Sequence, residues 1–302
     1  MASEIAAALL AASLATLFQL GSVFGPVLAC AVVLHQLERM LRTTLVEAFG
    51  WRAVLVTGWV GVPIHELSHL AACLVFTHEV EEVKLFAPDP ETGTLGFVRH
   101  RAPRGNPWAE VGRFFIGVAP LFGGALTLYL VARALWPQRA LLAMATPGAL
   151  DGPHAALGRA WLAASSLLDP THLESARFWV FLYLVMAIGA HLAPSVSDLR
   201  GAVRGGIALV VGTFLVNLIA HPFGGLGTDW VVQTAAAMTP VVALLVLAVL
   251  LTTVALGVAL AVSAVFVRLR GGHGHLARFV RLHWARLVLG GVAGWAFLQA
   301  IG

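Results

Sequence analysis

Charged side chains are scarce in this 302-residue sequence: Asp, Glu, Lys and Arg make up 11% of it, while hydrophobic residues make up 59%. A soluble globular domain carries about 25% charged residues. So few polar groups cannot cover a water-exposed surface of this size, which excludes a soluble globular protein. The mean hydropathy of +0.86 agrees. The composition therefore predicts a polytopic membrane protein whose solvent is mainly lipid.

Cysteine and lysine are nearly absent. The two cysteines, Cys30 and Cys73, both lie in apolar runs, which excludes a disulfide framework and a CxxC metal pair. Lys84 is the single lysine, so arginine supplies most of the basic charge. The basic residues lie in connections between apolar runs, so we expect a positive-inside bias and no nucleic-acid partner. The first residues lack a basic n-region, so we expect the first apolar run to be retained as an anchor.

The apolar runs are long enough to cross a membrane, which takes about 20 residues each. They predict an all-α polytopic fold with about seven transmembrane helices. The first run contains Gly25-Pro26 and forms either one kinked span or two short pieces. The predicted spans are residues 5–34, 52–77, 114–135, 177–196, 204–221, 236–267 and 285–301.

Two connections between these runs are long. Residues 79–112 are the most polar part of the chain, and there "EVEEVKLF" and "TGTLGFVRH" flank "APDPETG". Short β-prone runs around a turn rich in Pro, Gly and Asp predict a β-hairpin. The second connection, 136–175, is rich in Ala and Leu with Pro and Gly breaks, which predicts short interfacial helices. Neither connection is long enough for a separate soluble domain.

The distribution of Lys and Arg predicts an orientation. If all seven runs cross once, twelve basic residues fall on one side and seven on the other. The side with more basic residues is expected to be cytoplasmic. This places the N-terminus in the cytoplasm, and we expect the membrane to be a bacterial inner membrane.

The second apolar run contains the sequence His65-Glu66-Leu67-Ser68-His69. Burying ionisable groups at membrane depth costs several kcal/mol unless they have partners. On a helix, two histidines four residues apart lie on one face and can bind one ion, and Glu66 beside them can hold a water and take its proton. Zinc makes such a water acidic enough to react near neutral pH. We therefore predict Zn²⁺ as cofactor, with His65 and His69 as ligands and Glu66 as the catalytic base.

Two histidines leave the site short of a third protein ligand. We choose Asp198, because it follows the fourth run and lies on the same predicted side of the membrane as the motif. Thr171 and Glu174 form the pattern of a capping box at the start of that run, so Asp169 and Glu174 are expected to be structural. Other carboxylates lie on the far side or in the long connection: Asp229 and Asp151.

His191 precedes Asp198 by seven residues, which places both on one helical face unless Pro194 unwinds the helix between them. It can bind the metal, orient Asp198 or donate a hydrogen bond to a developing oxyanion. A core histidine with satisfied hydrogen bonds is the equal alternative. Eight of the remaining histidines are expected at membrane interfaces or in a basic surface segment that contacts anionic lipid. They are His78, His100, His154, His172, His221, His273, His275 and His283.

The order of these features resembles the site-2 protease family of intramembrane zinc metalloproteases: a transmembrane HExxH, a polar hairpin, then an Asp after a later helix. Members carry Asn-x-x-Pro leading into Asp-Gly, and here the stretch 191–194 reads His-Leu-Ala-Pro and leads into Ser197-Asp198-Leu199. The Pro matches, whereas His191 replaces the Asn and Leu199 replaces the Gly. "GVAPLFGG" at 117–124 is similar to a Gly/Pro-rich stretch of the family. The resemblance covers residues 52–205.

This resemblance implies a protease core at 52–205. Outside that core, hydropathy and charge predict a transmembrane segment and amphipathic connector at 1–51, and further transmembrane helices with a basic cytoplasmic loop at 206–302. The implied activity is hydrolysis of transmembrane protein substrates near the cytoplasmic face of the bilayer. The alternatives are a metal transporter and a zinc-binding membrane protein without protease activity. In the family the hairpin holds the unwound substrate by strand addition, and here its substrate-binding residues would be Thr94, Leu95, Gly96, Phe97 and Val98.

Overall fold

The computed structural model describes residues 2–136, 170–223 and 228–269. Within these ranges the chain is mostly helical, with one small antiparallel sheet. In chain order the elements are α1 (Ala2–Phe49), α2 (Trp51–Val75), β1 (Glu79–Lys84), β2 (Phe97–Arg101), α3 (Pro107–Leu135), a 3₁₀ turn (Pro170–Glu174), α4 (Ala176–Gly189), α5 (Val196–Ala220), a second 3₁₀ turn (His221–Phe223) and α6 (Thr228–Leu269).

Four helices in the described part of the chain are long and apolar enough to cross a membrane: Ser3–Phe49, Pro107–Leu135, Val196–Phe223 and Val241–Phe266. The described part of the chain is thus mostly α-helical, with four helices that could span a membrane, and the prediction of about seven is wrong. The second run forms α2, whose polar HExxH residues keep it out of this group. The fourth run forms the 14-residue helix α4. This helix is about 21 Å long, which is too short to cross a hydrocarbon layer of about 30 Å. The seventh run, 285–301, lies outside the described residues.

The first run and its connector form one helix of 48 residues with Pro26 inside it, so they are not two pieces. Gly50 then separates α1 from α2 with a φ of +76°, a conformation that a side chain would strain. The orientation count assumed seven single crossings, and only four helices in the described ranges could span a membrane. The count of basic residues on two sides therefore loses its basis. The N-terminal orientation derived from it stays a prediction.

The predicted β-hairpin is confirmed. β1 and β2 pair in antiparallel register from Glu79 opposite Arg101 to Lys84 opposite Phe97, with an irregularity between Val80 and Glu82. In the turn, the Asp89 carboxylate accepts hydrogen bonds from the Glu91 amide at 2.9 Å and the Thr92 hydroxyl at 2.7 Å. These bonds are local to the turn and stabilise it.

The helix start predicted at Thr171 and Glu174 is wrong. Both residues lie in a 3₁₀ turn, and α4 begins at Ala176 with Ser175 as its N-cap, which makes no side-chain capping bond. The rest of the long connection, including Asp151 and Asp169, lies outside the described residues. At its other end α4 stops at Gly189, and the chain turns through 190–195 before α5 begins at Val196.

The main core lies where α1, α3, α4 and α6 meet. Its fully buried side chains are aliphatic or aromatic, and they include Leu34, Leu41, Leu121, Leu128, Phe181, Ile188, Leu245 and Leu251. A smaller cluster of Cys73, Phe76 and Ile116 joins α2 to α3 near the hairpin. Many large apolar side chains on the outer helix faces are exposed, among them Leu14, Leu17, Val203 and Ile207. Such faces suit a lipid environment.

Candidate metal centre

The HExxH motif lies within α2, which is helical without interruption from Trp51 to Val75. The helix places the imidazoles of His65 and His69 on one face, with their Nε2 atoms 3.2 Å apart. Both rings are largely shielded from solvent, with side-chain exposures of 13% and 7%. The spacing of the motif therefore produces the expected pair of adjacent nitrogen donors.

Hydrogen bonds at the opposite side of each ring determine which nitrogen carries the proton. His65 Nδ1 lies 2.7 Å from the carbonyl oxygen of His191, and His69 Nδ1 lies 2.8 Å from that of Ile116. Carbonyl oxygens only accept, so both Nδ1 atoms are donors. In the neutral rings both Nε2 atoms then present lone pairs toward the same point. Backbone carbonyls hold metal-binding histidines in this way in known sites.

Asp198 completes the group. Its Oδ2 lies 3.6 Å from His65 Nε2, and its Oδ1 lies 3.4 Å from His69 Nε2. One ligand atom from each of the three residues lies within 4.8 Å of the others, a grouping that could hold a metal ion. Donors bound to a tetrahedral zinc ion lie about 3.3–3.6 Å from one another. The spacing in this structure fits that geometry. Two nitrogen lone pairs and a carboxylate repel one another, so a proton or a cation is needed between them.

The predicted environment of Asp198 is wrong, although its proximity to the histidines is observed. Asp198 does not end the fourth helix: it lies in the first turn of α5 and forms a capping box with Ser195. The Ser195 amide donates to Asp198 Oδ2 at 2.7 Å, and the Asp198 amide donates to Ser195 Oγ at 3.2 Å. The cap thus orients the carboxylate while leaving Oδ1 available to face His69.

Close packing of α5 against α3 sets the position of Asp198. Gly117 of α3 lies against the Asp198 backbone, where an added Cβ would be 2.5 Å from the Asp198 carbonyl oxygen. The neighbouring Ile116 carbonyl is the group that holds His69. One short stretch of α3 therefore fixes both α5 and a ring of α2. Gly117 in this stretch is the first residue of the Gly/Pro-rich sequence 117–124.

Glu66 is buried, with 6% of its surface exposed, and lines the same cavity as the three ligand candidates. A carboxylate is rarely buried without a functional or structural partner. The cavity has a volume of about 760 Å³ and continues from the metal site to the hairpin. All five predicted hairpin residues, Thr94 to Val98, line it.

His191 does not contribute its ring to the group of ligands. The ring is buried, and its Nε2 lies 3.2 Å from the Thr57 hydroxyl on α2. The backbone carbonyl of His191 is the functional contact, because it holds His65. The expected shared helical face of His191 and Asp198 is absent, since the chain leaves the helix at 190–195. His191 therefore supports His65 and does not orient Asp198 by its side chain.

Two sets of residues at the cavity were not predicted. The first comes from α1, where His35, Glu38, Arg39 and Arg42 line the cavity. Their spacing of three and four residues places them on one helical face. They were missed because the first predicted span ended at residue 34. Arg39 and Arg42 line the same cavity as Arg113. The count of basic residues had predicted that they lie on the opposite side of the membrane from Arg113.

The second set is a pair of histidines, His78 and His100, which were expected to be separate interfacial residues. Their Nδ1 atoms are 2.8 Å apart, and His78 Nε2 donates to the Ala109 carbonyl at 2.8 Å. Burial, together with the neighbouring His78, lowers the pKa of His100 to about 4. His100 also lines the cavity. A neutral ring of the hairpin thus faces the candidate site.

Comparisons with known proteins give no assignment: no family model, no curated protein and no solved structure matches this chain. The resemblance to site-2 proteases therefore rests on the motif and the order of elements.

Proposed function

We propose that the chain is an intramembrane zinc metalloprotease of site-2 protease type, which hydrolyses peptide bonds of transmembrane proteins. The observation that carries this proposal is the convergence of two histidine Nε2 atoms, on rings held through Nδ1, and the Asp198 carboxylate beside the buried Glu66. A site with two nitrogen ligands, one oxygen ligand and an open fourth position is typical of catalytic zinc.

His65, His69 and Asp198 would hold the zinc ion. When bound, the ion would supply Lewis acidity toward the scissile carbonyl and toward the attacking water. Both histidines are held by carbonyl oxygens and Asp198 by its capping box, so the three donors need little rearrangement to accept a cation.

Glu66 would act as the general base and then as the general acid. Its carboxylate takes a proton from the water whose oxygen attacks the scissile carbonyl carbon. It then gives that proton to the amide nitrogen as the carbon–nitrogen bond breaks, so the products are a carboxylate and an amine. The position of Glu66 next to His65 in the motif and its burial in the cavity wall support this role.

The substrate segment must be extended, since a helical peptide bond is shielded by its own hydrogen bonds. In the described part of the chain the sheet has only two strands, so β2 has no partner on its second edge. The stretch from Thr94 to Val98 lines the cavity that contains Glu66. We propose that an unwound transmembrane segment pairs with this edge. Phe97→Ala should then reduce cleavage while zinc binding is retained, and equal cleavage would contradict the pairing.

The location of the reaction is also proposed: a bacterial inner membrane, with the N-terminus and the opening of the cavity on the cytoplasmic side. The test uses a variant without Cys30 and Cys73, into which a single cysteine is introduced at Ser3 or at Glu91. Intact cells are then treated with a thiol reagent that does not cross the membrane. Protection of both positions until the membrane is opened is expected. Labelling of either position in intact cells would contradict the orientation.

Two alternatives are a metal transporter and a non-catalytic zinc protein. A transporter needs ligand groups along a path through the membrane, whereas the described residues hold a single cluster of three metal-binding side chains. A purely structural zinc site has four protein ligands, whereas this group has three. A structural site also gives no reason for a buried carboxylate such as Glu66 beside the ligands. Both observations favour the protease.

The test compares wild type with Glu66→Gln, using Glu91→Gln in the exposed hairpin turn as the matched control. Bound zinc and cleavage of single-span membrane proteins are measured in detergent or liposomes. We expect all three proteins to bind zinc and Glu66→Gln to lose at least about 100-fold in cleavage rate, as for loss of a general base. Equal cleavage by wild type and Glu66→Gln would refute the protease, and transport of zinc without cleavage would favour the transporter.

A further inference from the structure

The turn at 190–195 supports two of the candidate ligands at once. Its His191 carbonyl accepts the hydrogen bond from His65 Nδ1 at 2.7 Å. Its last residue, Ser195, forms the capping box that orients Asp198. A displacement of this turn would therefore move a histidine of α2 and a carboxylate of α5 together. Whatever fixes the turn also fixes the relative position of the two ligands.

A carboxylate from α1 fixes the middle of this turn. Glu38 Oε2 accepts a hydrogen bond from the Ala193 amide at 2.9 Å, across 155 residues of sequence. Ala193 lies between the two supporting residues, His191 and Ser195, and is itself buried. The bond joins the first helix, which the sequence reading left outside the protease core, to the support of the metal site.

A neutral acceptor could bind this amide at lower cost, because burying a carboxylate costs several kcal/mol without compensation. Glu38 also lies close enough to Arg42 and His65 to interact with both electrostatically. A hydrogen bond to a carboxylate is about twice as strong as one between neutral groups. In its ionised form Glu38 would also favour a cation at His65 Nε2.

We propose that Glu38 is a positioning residue of the metal site, which holds the turn at Ala193 and thereby sets the spacing of His65 and Asp198. Glu38 acts through the turn and does not provide a ligand atom to the group of three. This inference rests on the proposed zinc site, and it adds α1 to the elements that build that site.

The experiment measures zinc affinity by competition with a chromophoric chelator in purified full-length protein. The variants are Glu38→Ala, which removes the acceptor and the charge, and Glu38→Gln, which keeps an acceptor oxygen. Gln36→Ala, on an exposed position of the same helix, is the matched control. We expect Glu38→Ala to weaken zinc binding by about 10–100-fold, as for other outer-shell supports of metal ligands. Glu38→Gln should weaken it less, and Gln36→Ala should not change it.

The unfolding temperature of the metal-free proteins separates positioning from general stability. If Glu38 were only structural, its variants would lower this temperature and leave the zinc affinity of the folded protein unchanged, which would overturn the inference. If Glu38→Ala does not fold, Glu38→Gln decides: affinity equal to wild type overturns the proposal. If wild type itself binds no zinc, the proposed function fails together with this inference, whereas unchanged affinity in the variants alone leaves the protease proposal intact.

Discussion

The side chain of His65 is held by the backbone of His191: Nδ1 donates to the carbonyl oxygen at 2.7 Å across 126 residues of sequence. His69 has the same relationship to Ile116 at 2.8 Å. Both rings therefore have a fixed orientation and a fixed tautomer before any ion binds. Because the carbonyls belong to a turn and to a helix packed on α2, the geometry of the site depends on how three segments meet.

Substitutions at Asp198 and Ser195 should separate the ligand from its cap. Asp198→Ala removes both the proposed metal ligand and the carboxylate of the capping box. Ser195→Ala removes only the hydroxyl that accepts a hydrogen bond from the Asp198 amide. We expect Asp198→Ala to abolish zinc binding at micromolar zinc. Ser195→Ala should lower the stability of metal-free protein by about 0.5–2 kcal/mol, the usual cost of a lost N-cap, and reduce zinc affinity much less. Titration with zinc and thermal unfolding measure the two effects.

Asp198→Asn gives the decisive comparison, because an amide oxygen can still accept from the Ser195 amide. If Asp198 is a ligand, Asn should keep most of the stability and lose most of the zinc affinity. A protein with Asn or Ala at position 198 that binds zinc like wild type would show that Asp198 serves only as a capping residue.

The sequence predicted the residues of the site better than the elements that carry them. HExxH specifies two donors on one helix through local spacing alone, so His65 and His69 needed no tertiary information. Asp198 lies beside the motif as expected, but it was assigned to the wrong helix, and its role as a ligand stays a prediction. Hydropathy does not distinguish a span that ends at 196 from a short helix followed by a turn. The Ser195–Asp198 capping pattern, Ser-x-x-Asp, was the local signal for a new helix start at that point.

Residues that act through tertiary contacts could not be predicted in this way. Glu38 lies in a segment that resembles an amphipathic connector, and only the folded structure brings it to Ala193. The pairing of His78 with His100 depends on the register of the hairpin and on the start of α3. The number of membrane helices was overestimated because length and hydropathy were applied to each apolar run separately.

Gly117→Ala should disturb the metal site from a distance. The added methyl group would lie 2.5 Å from the Asp198 carbonyl oxygen, so α5 must move away from α3. Overpacking of this kind costs about 1–3 kcal/mol, and the movement also carries Asp198 away from His69. We expect a lower unfolding temperature and weaker zinc binding. Both are measured on purified protein, the second by chelator competition.

Gly212→Ala is the matched control for this substitution. Gly212 lies within α5, and a methyl group there would meet no atom within 4 Å. Replacing a helical Gly by Ala at an open position stabilises a helix by about 0.5–1 kcal/mol. Zinc affinity should be unchanged in Gly212→Ala. Equal zinc affinity in Gly117→Ala and Gly212→Ala would show that the α3–α5 contact does not determine the position of Asp198.

The pKa of His100 predicts a pH dependence of stability. Burial and the nearby His78 hold the pKa at about 4 in the folded protein, against an ordinary value of 6.5. His69 and Arg113 act in the same direction, while Asp198 opposes it. The unfolded chain therefore binds a proton between pH 6.5 and pH 4 that the folded protein does not. Stability from this residue is present above about pH 6.5 and is lost as the pH falls toward 4.

His100→Asn isolates this contribution, because an amide can still donate to His78 Nδ1 while it has no proton to gain. The unfolding temperatures of wild type and His100→Asn are measured from pH 8 to pH 4 with a chelator present. The two proteins share all their other titratable groups, so the difference between the curves reports His100. We expect wild type to lose more stability than His100→Asn as the pH falls through this window. Parallel curves would mean that His100 is as easily protonated in the folded protein as in the unfolded chain.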